Sequence, residues 1–281
     1  MGINVLSLFD GISCGQIALN RVGIEYDNYF ASEIDKHAIK VTQTNYPKTI
    51  QLDNVTKIKA TELPKIDLLI GGGPCQGFSF AGKQLNFEDP RSKLFFEFVR
   101  LLEETKPKYF LLENVKMKKC FQDIITEYMG NNPVEINSSA FSSQSRKRLY
   151  WTNITINKFN ENGLECFDEY LYRLGHGYIK DEIKFFSKYP ALAAQPPATK
   201  YRIVCNLKLA KEALDVGNLD LLRKGNEITR SATPEECEIF QTLPKAFTSV
   251  LNKTQRYKCI GNGWTVAVIE HIFKGLLNEN L

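Results

Sequence analysis

Histidine is scarce: only His37, His176 and His271 occur in 281 residues, and they are not spaced like metal ligands. Cys-x-x-Cys pairs are missing as well. Both absences argue against a zinc site, and no structural or catalytic metal is expected. The seven cysteines (Cys14, Cys75, Cys120, Cys166, Cys205, Cys237 and Cys259) are odd in number and scattered. That speaks against a disulfide framework and for a reducing compartment. No apolar run approaches the roughly 18 residues needed to span a bilayer. The chain enters a strand pattern at Ile3 with no basic region or cleavage site before it, so no secretory signal is expected. Neither charge sign dominates, and the net charge of +4 permits a nucleic-acid partner without requiring one. Repeats and low-complexity tracts are lacking. So is the phosphate-binding Gly-x-Gly-x-x-Gly string, which argues against a dinucleotide cofactor.

What is present is an alternation of strand and helix patterns over the first half. Strands are expected at 3–9, 29–34, 49–55, 66–70, 109–113 and 149–154, and helices at 16–22, 36–46 and 92–105. The last of these helices places Leu94, Phe95, Phe98, Leu101 and Leu102 on one face, a 3.6-residue period. Such alternation predicts an α/β fold, a doubly wound, mostly parallel sheet with helices on both faces. The pattern fades after about Asn157 and returns at Ser231, where Thr233 is an N-cap candidate and Pro234 stands at the first helical position. An apolar helix over 266–277 closes the chain. The expected division is a catalytic domain of residues 1–154 plus 262–281 and a smaller domain of residues 155–261.

Chemistry concentrates where strands end. Pro74 and Cys75 follow Gly72 and Gly73 on a loop after one apolar strand, and Glu113 ends another. A thiol and a carboxylate at adjacent strand ends make a nucleophile with a proton donor. Phe9-Asp10-Gly11-Ile12 follows the first strand, where glycine lets the backbone approach a ligand. Glu33 ends the second strand and can accept from ribose hydroxyls; Asp53 ends the third and can accept from an adenine amino group. A nucleoside cofactor without a phosphate fits, and S-adenosylmethionine is the common one. In Gln144-Ser145-Arg146-Lys147-Arg148, alternate residues of an extended segment face one way, so Arg146 and Arg148 can point together into a cleft. Lys83, Arg91, Lys93, Lys116, Lys118 and Lys119 fall near the same strand ends, as a polyanion site would require.

Read in order, these segments resemble the DNA cytosine-5 methyltransferase family. The matches are Phe9-Asp10-Gly11, Ser32-Glu33-Ile34-Asp35, Asp53, the run from Gly72 to Ser79, Glu113-Asn114-Val115, Gln144 to Arg148, Arg230 with Thr233-Pro234-Glu235, and Gly261 to Val266. The length is that of bacterial and phage members, whereas segments such as Leu6 to Ile12 and Trp264 to Ile269 look closest to the animal de novo branch. Trp264 departs from the serine usual in bacterial members, and Ser13 from a glycine.

The resemblance implies a Rossmann-like S-adenosylmethionine-dependent methyltransferase fold with a smaller target-recognition domain. It also implies a flipped-out cytosine attacked at C6 by Cys75, with Glu113 acting at N3, Arg148 contacting O2, and Arg146 supporting the loop or a phosphate. The cofactor site it implies takes Phe9, Asp10, Gly11 and Ile12 from the first loop, Glu33 and Ile34 from the second, and Asp53 and Asn54 from the third. Pro74 joins them, with Asn262, Trp264 and Val266 from the C-terminal segment. S-adenosyl-L-homocysteine would be the product. Duplex DNA is the expected partner, alongside a companion restriction endonuclease in the host. The expected enzyme is a cytoplasmic monomer without membrane association. Recognition is expected within residues 155–228, or failing that in the Cys75 loop or the 245–258 segment with Lys253, Arg256 and Lys258.

Two alternatives carry less. The RNA-directed branch of the family has a Cys-Phe-Thr tripeptide in its second half, and here Cys120-Phe121-Gln122 lies elsewhere. A non-catalytic DNA-binding homologue would have lost its nucleophile or acid, and both Cys75 and Glu113 are present.

Overall fold

Strands covered on both faces read as continuous apolar runs. That is the pattern of Ile3–Leu8 (β1), where Val5, Leu6 and Leu8 are buried, and it recurs at Leu68, Leu69 and Ile70. The computed structural model describes residues 2–73, 90–160, 171–173, 184–186, 189–190, 192, 201–215 and 227–279. In chain order β1 is followed by α1 (Cys14–Val22), β2 (Tyr26–Ser32), α2 (Lys36–Asn45), β3 (Ile50–Gln51), β4 (Leu68–Gly72), α3 (Pro90–Thr105), β5 (Tyr109–Val115), α4 (Lys119–Met129), β6 (Val134–Asn137), β7 (Gln144–Ser145) and β8 (Lys147–Thr152). Then come β9 (Leu171–Arg173), β10 (Lys184–Phe186), β11 (Tyr189–Pro190), β12 (Tyr201–Val204), α5 (Leu207–Asp215), β13 (Thr229–Arg230), α6 (Pro234–Phe240), α7 (Lys253–Asn262) and α8 (Val266–Phe273).

These elements form two compact units. One is Met1–Asn137 with Lys147–Phe159 and Gly263–Leu281; the other is Ser138–Arg146 with Asn160–Asn262. Residues 138–146, expected with the first domain, fall in the second unit.

The first unit is built on a seven-stranded sheet in the order β3-β2-β1-β4-β5-β8-β6. Neighbours from β3 to β5 pair in parallel, and β8 runs antiparallel to both β5 and β6. The chain leaves β1 on one side for β2 and β3 and returns on the other side as β4. In open α/β sheets ligands bind outside the carboxyl ends of the strands where the order reverses. Here that crevice lies between the ends of β1 and β4. Helix α3 packs its Phe95, Phe98 and Leu101 into the core, as its periodicity predicts. Phe98 fits because Gly71 lacks a side chain: a Cβ there would stand 3.0 Å from Phe98 Cδ2.

Two expected elements differ. The strand over 49–55 shrinks to Ile50–Gln51, because Asn54 accepts a hydrogen bond from Thr56 N–H (3.0 Å) and turns the chain into a 3₁₀ helix at Val55–Lys57. The closing helix ends at Phe273 and continues as a 3₁₀ turn over Lys274–Glu279.

In the second unit, β10-β9-β12-β13 form an antiparallel sheet, and β11 pairs in parallel with β7. Helix α6 starts as expected: Thr233 Oγ1 accepts from Glu236 N–H (3.3 Å) while Glu236 Oε2 accepts from Thr233 N–H (2.7 Å), a capping box with Pro234 at the first turn. Arg230 grips the same glutamate through both carboxylate oxygens at 2.7 Å.

Trp151 on β8 is fully buried, and its indole N–H donates to Thr126 Oγ1 on α4 at 3.0 Å. Trp151→Ala is expected to lower stability by about 3–5 kcal/mol, since it leaves a large cavity under the sheet. Trp151→Phe should cost clearly less, because a six-membered ring still fills much of the space and one hydrogen bond is lost. Thermal denaturation of the two variants checks the order.

Candidate active site

The loop after β1 is strained. Phe9 (φ 56°), Gly11 (φ 59°) and Ser13 (φ 56°) all take left-handed conformations, which cost a non-glycine residue roughly 1–3 kcal/mol each. Gly11 faces open space, whereas a Cβ on Gly15 would collide with Ile70 Cδ1. Of the two glycines, therefore, Gly11 leaves room for a ligand and Gly15 serves packing. A buried carboxylate holds the loop in place. Asp10 accepts from Ser7 Oγ (2.6 Å), Tyr29 OH (2.9 Å) and Ser13 Oγ. Burial pushes the Asp10 carboxyl up to about 6. The hydroxyl donors pull it down, and nearby Glu33 adds to the rise. Asp10 thus anchors the loop from within.

Glu33 lies just past β2. Its Oε2 accepts from Gly11 N–H, and its Oε1 from Ile34 and Asp35 N–H, all at 2.8 Å. An ionised carboxylate offers about four lone-pair positions; described residues take three, leaving one on Oε2 for a hydroxyl. Ile34 beside it is 75 % exposed, an unusual position for a large apolar side chain and a fitting one for a ring to stack on. Asp53 is exposed at φ 52°, its backbone oxygen fixed by Ser32 Oγ (2.8 Å). An oriented carboxylate, an open glycine and an exposed apolar side chain suit the ribose and base of a nucleoside. Ile12 and Val266 are buried, so neither offers a side chain to such a ligand.

Glu113, at the end of β5, pairs in register with Gly72 on β4. It is 8 % exposed. Its Oε1 lies 2.9 Å from Arg148 Nε, and its Oε2 accepts from Trp264 Nε1–H at 3.1 Å. The Arg148 N–H is misaligned for a hydrogen bond, so that contact is ionic. Arg148 also donates from Nη1 to Lys147 O at 2.8 Å. Pro74 and Cys75 lie outside the described residues; Gly73 is the last described residue before them.

The two arginines have different partners. Arg146 falls in the second unit, is buried, and donates to Leu192 O (3.0 Å) and Gly261 O (3.2 Å). Arg148 belongs to the first unit with Glu113. The extended segment breaks between β7, which ends at Ser145, and β8, which begins at Lys147. Asn262 is exposed in the second unit, one residue before the first unit resumes. Arg256, a candidate for DNA recognition, is buried and used internally: it pairs with Glu238 (3.0 Å) and Glu235 and donates to Thr248 Oγ1 (3.0 Å). Lys116 and Lys119 are exposed but paired with Glu135 (2.8 Å) and Asp123 (2.7 Å). Such surface pairs are weak and can be given up to a phosphate. Lys83 lies outside the described residues, as do the side chains of Arg91 and Lys93. Burial and the neighbouring Glu236, Glu235 and Glu238 push the Cys237 thiol up to about 12, which removes it as a nucleophile.

A family model for C-5 cytosine-specific DNA methylases matches residues 3–154 and 118–278. The type II methyltransferase M1.ScrFI of Lactococcus lactis subsp. cremoris is 30 % identical over 97 % of this chain and 77 % of its own length. The type II methyltransferase M.Bsp6I of Bacillus sp. (strain RFL6) is 29 % identical over 98 % of this chain and all of its own. Among solved structures, a DNMT2 variant of Spodoptera frugiperda superposes with a TM-score of 0.71 at 20 % identity, covering 98 % of this chain and 100 % of that one, a likeness of fold.

Asp10 generates a pH prediction. A carboxyl raised from 3.8 to about 6 binds its proton more tightly folded than unfolded. Its contribution to stability is complete below the unfolded value and is lost as pH rises through the folded one. The melting temperature should therefore fall between about pH 4 and 6 by an amount that Asp10→Asn removes. Calorimetry of both proteins across that window reads the difference, and identical profiles would contradict the buried carboxyl.

Proposed function

Because the chain belongs to the C-5 cytosine-specific DNA methylase family and is a DNA cytosine-5 methyltransferase, we propose that Cys75 is its nucleophile and Glu113 the acid that works with it. The observation that carries this reading is the place of Glu113. It is a nearly buried carboxylate beside the crevice where the sheet order reverses, in register with Gly72, and Gly72 stands three residues before Cys75.

C5 of cytosine is a poor nucleophile. The Cys75 thiolate adds to C6, forming an S–C bond, and the displaced electron pair makes C5 enamine-like. Charge that develops toward N3 is neutralised by Glu113 through a hydrogen bond or a proton. Arg148 keeps Glu113 company electrostatically; among the described residues its Nη2 has no acceptor, and it is assigned to the pyrimidine O2. When bound, S-adenosylmethionine would supply the electrophilic methyl group to C5 and leave as S-adenosyl-L-homocysteine. The C5 proton then leaves to a base, its electrons re-form the C5–C6 double bond, and the Cys75 thiolate is expelled. Glu33 holds the ribose through its remaining lone pair, Ile34 packs on adenine, and Asp53 accepts from the adenine amino group. Phe9 and Gly11 line the methionine side.

The second unit is the proposed reader of the DNA sequence, and duplex DNA the substrate, bound through phosphates and with its target base extruded. The type II naming of the similar bacterial enzymes supports a companion endonuclease of the same specificity. The protein is taken to act as a monomer.

A duplex containing 5-fluorocytosine should trap Cys75, because fluorine on C5 cannot leave as the proton does. In the presence of cofactor a denaturation-resistant complex is expected, and Cys75→Ser should abolish it. Bisulfite sequencing of the treated DNA reads base and site together. A trap that survives Cys75→Ser would overturn the assignment. For the cofactor, Glu33→Ala should weaken S-adenosylmethionine binding by about 1–3 kcal/mol in calorimetry, as the loss of a charged hydrogen bond predicts; unchanged affinity would remove Glu33 from the ribose.

A further inference from the structure

Trp264 stands at the start of α8, one residue before its N-cap Thr265. Thr265 and Val266 are buried, so the indole sits on a fixed base. Its N–H reaches Glu113 Oε2 at 3.1 Å, across 151 positions of sequence. Arg148 Nε, though 2.9 Å from Oε1, is not aligned to donate. Among the described residues, the indole is therefore the one aligned hydrogen-bond donor to this carboxylate. Gly72 makes the meeting possible, since a Cβ there would lie 2.7 Å from Trp264 Nε1 and 3.0 Å from Glu113 Oε2. The far edge of the ring points toward the start of α1, where Trp264 Cζ3 would lie 3.7 Å from a Cβ on Gly15. One ring thus spans from the first turn of α1 to the proposed acid.

We infer that Trp264 is a positioning residue for Glu113, in addition to any part it plays as a wall of the cofactor site. The inference rests on the catalytic reading of Glu113 given above. An indole donates and does not accept, so it holds Oε2 as an acceptor and fixes the carboxylate rotamer. The proton exchanged with cytosine N3 is then favoured on Oε1. Without the indole, the buried carboxylate keeps an ionic neighbour but loses its orientation, and orientation is what proton transfer to a held base requires.

The test uses the full chain, radiolabelled S-adenosylmethionine and unmethylated genomic DNA. Trp264→Phe keeps the apolar ring and removes the donor. Its kcat should fall about tenfold or more, the worth of one hydrogen bond to a charged group. Its affinity for S-adenosylmethionine, by calorimetry, should stay within about twofold. In a Glu113→Gln background the same substitution should cost no more than about twofold further, since residues that act as one unit are not additive. Gly72→Ala, which drives a methyl group between indole and carboxylate, should reproduce the loss of kcat with cofactor affinity kept. It is the second reading if Trp264→Phe melts early. A Trp264→Phe enzyme with unchanged kcat, a loss confined to cofactor affinity, or a full tenfold effect persisting beside Glu113→Gln would overturn the inference. A Glu113→Gln enzyme at the wild-type rate would instead overturn the catalytic reading of Glu113 on which the inference rests.

Discussion

A carboxylate that is nearly out of water must be compensated where it stands. Desolvating an ion costs several kcal/mol, and a single opposite charge in mediocre geometry does not return it. Glu113 meets this constraint with two partners of different kind, a cation at 2.9 Å and a neutral donor at 3.1 Å. Neither is near it in sequence. Arg148 arrives on β8, the one strand antiparallel to β5, with Val115 opposite it in register. Trp264 arrives after the chain has completed the second unit. The two returns of the chain to the first unit, at Lys147 and at Gly263, are what the carboxylate requires.

The opposite wall of the crevice answers a similar problem by other means. Among the described residues no cation bonds to Asp10; hydroxyls from Ser7, Ser13 and Tyr29 surround it and lower its proton affinity, while burial raises it by more. The left-handed residues flanking it are tolerated because Asp10 ties the loop down on both sides, to Ser7 on β1 and to Ser13 before α1. Glu33 then fastens the loop to the end of β2 through the Gly11 amide. A rigid loop presents its glycine to a ligand with little left to order on binding.

Much of this was legible in residue order. Continuous apolar runs gave away the parallel strands, and Thr233-Pro234 with Glu236 announced the start of α6 to the residue. Glu113 and Glu33 could be placed because strand ends are where such sheets keep their chemistry. Other features had no local signal. The short β3 was set by one side-chain hydrogen bond from Asn54. The hydrogen bonds of Arg146 depend on carbonyls at Leu192 and Gly261, and the Trp264–Glu113 bond on a missing methyl group at Gly72. Periodicity tells which positions are buried; it carries no information on which distant partner fills the space.

The interleaving of the two units has a bearing on synthesis. The chain changes unit four times, after residues 137, 146, 159 and 262. A ribosome makes about 5–20 residues per second. Glu113 is therefore exposed to the cell for many seconds before the tryptophan that binds it has been polymerised. During that interval β1, β2, β4 and β5 can pair, but the Glu113 carboxylate has no indole to hold it. An interleaved chain thus completes the surroundings of Glu113 at the end of folding, while the sheet that carries it can form early.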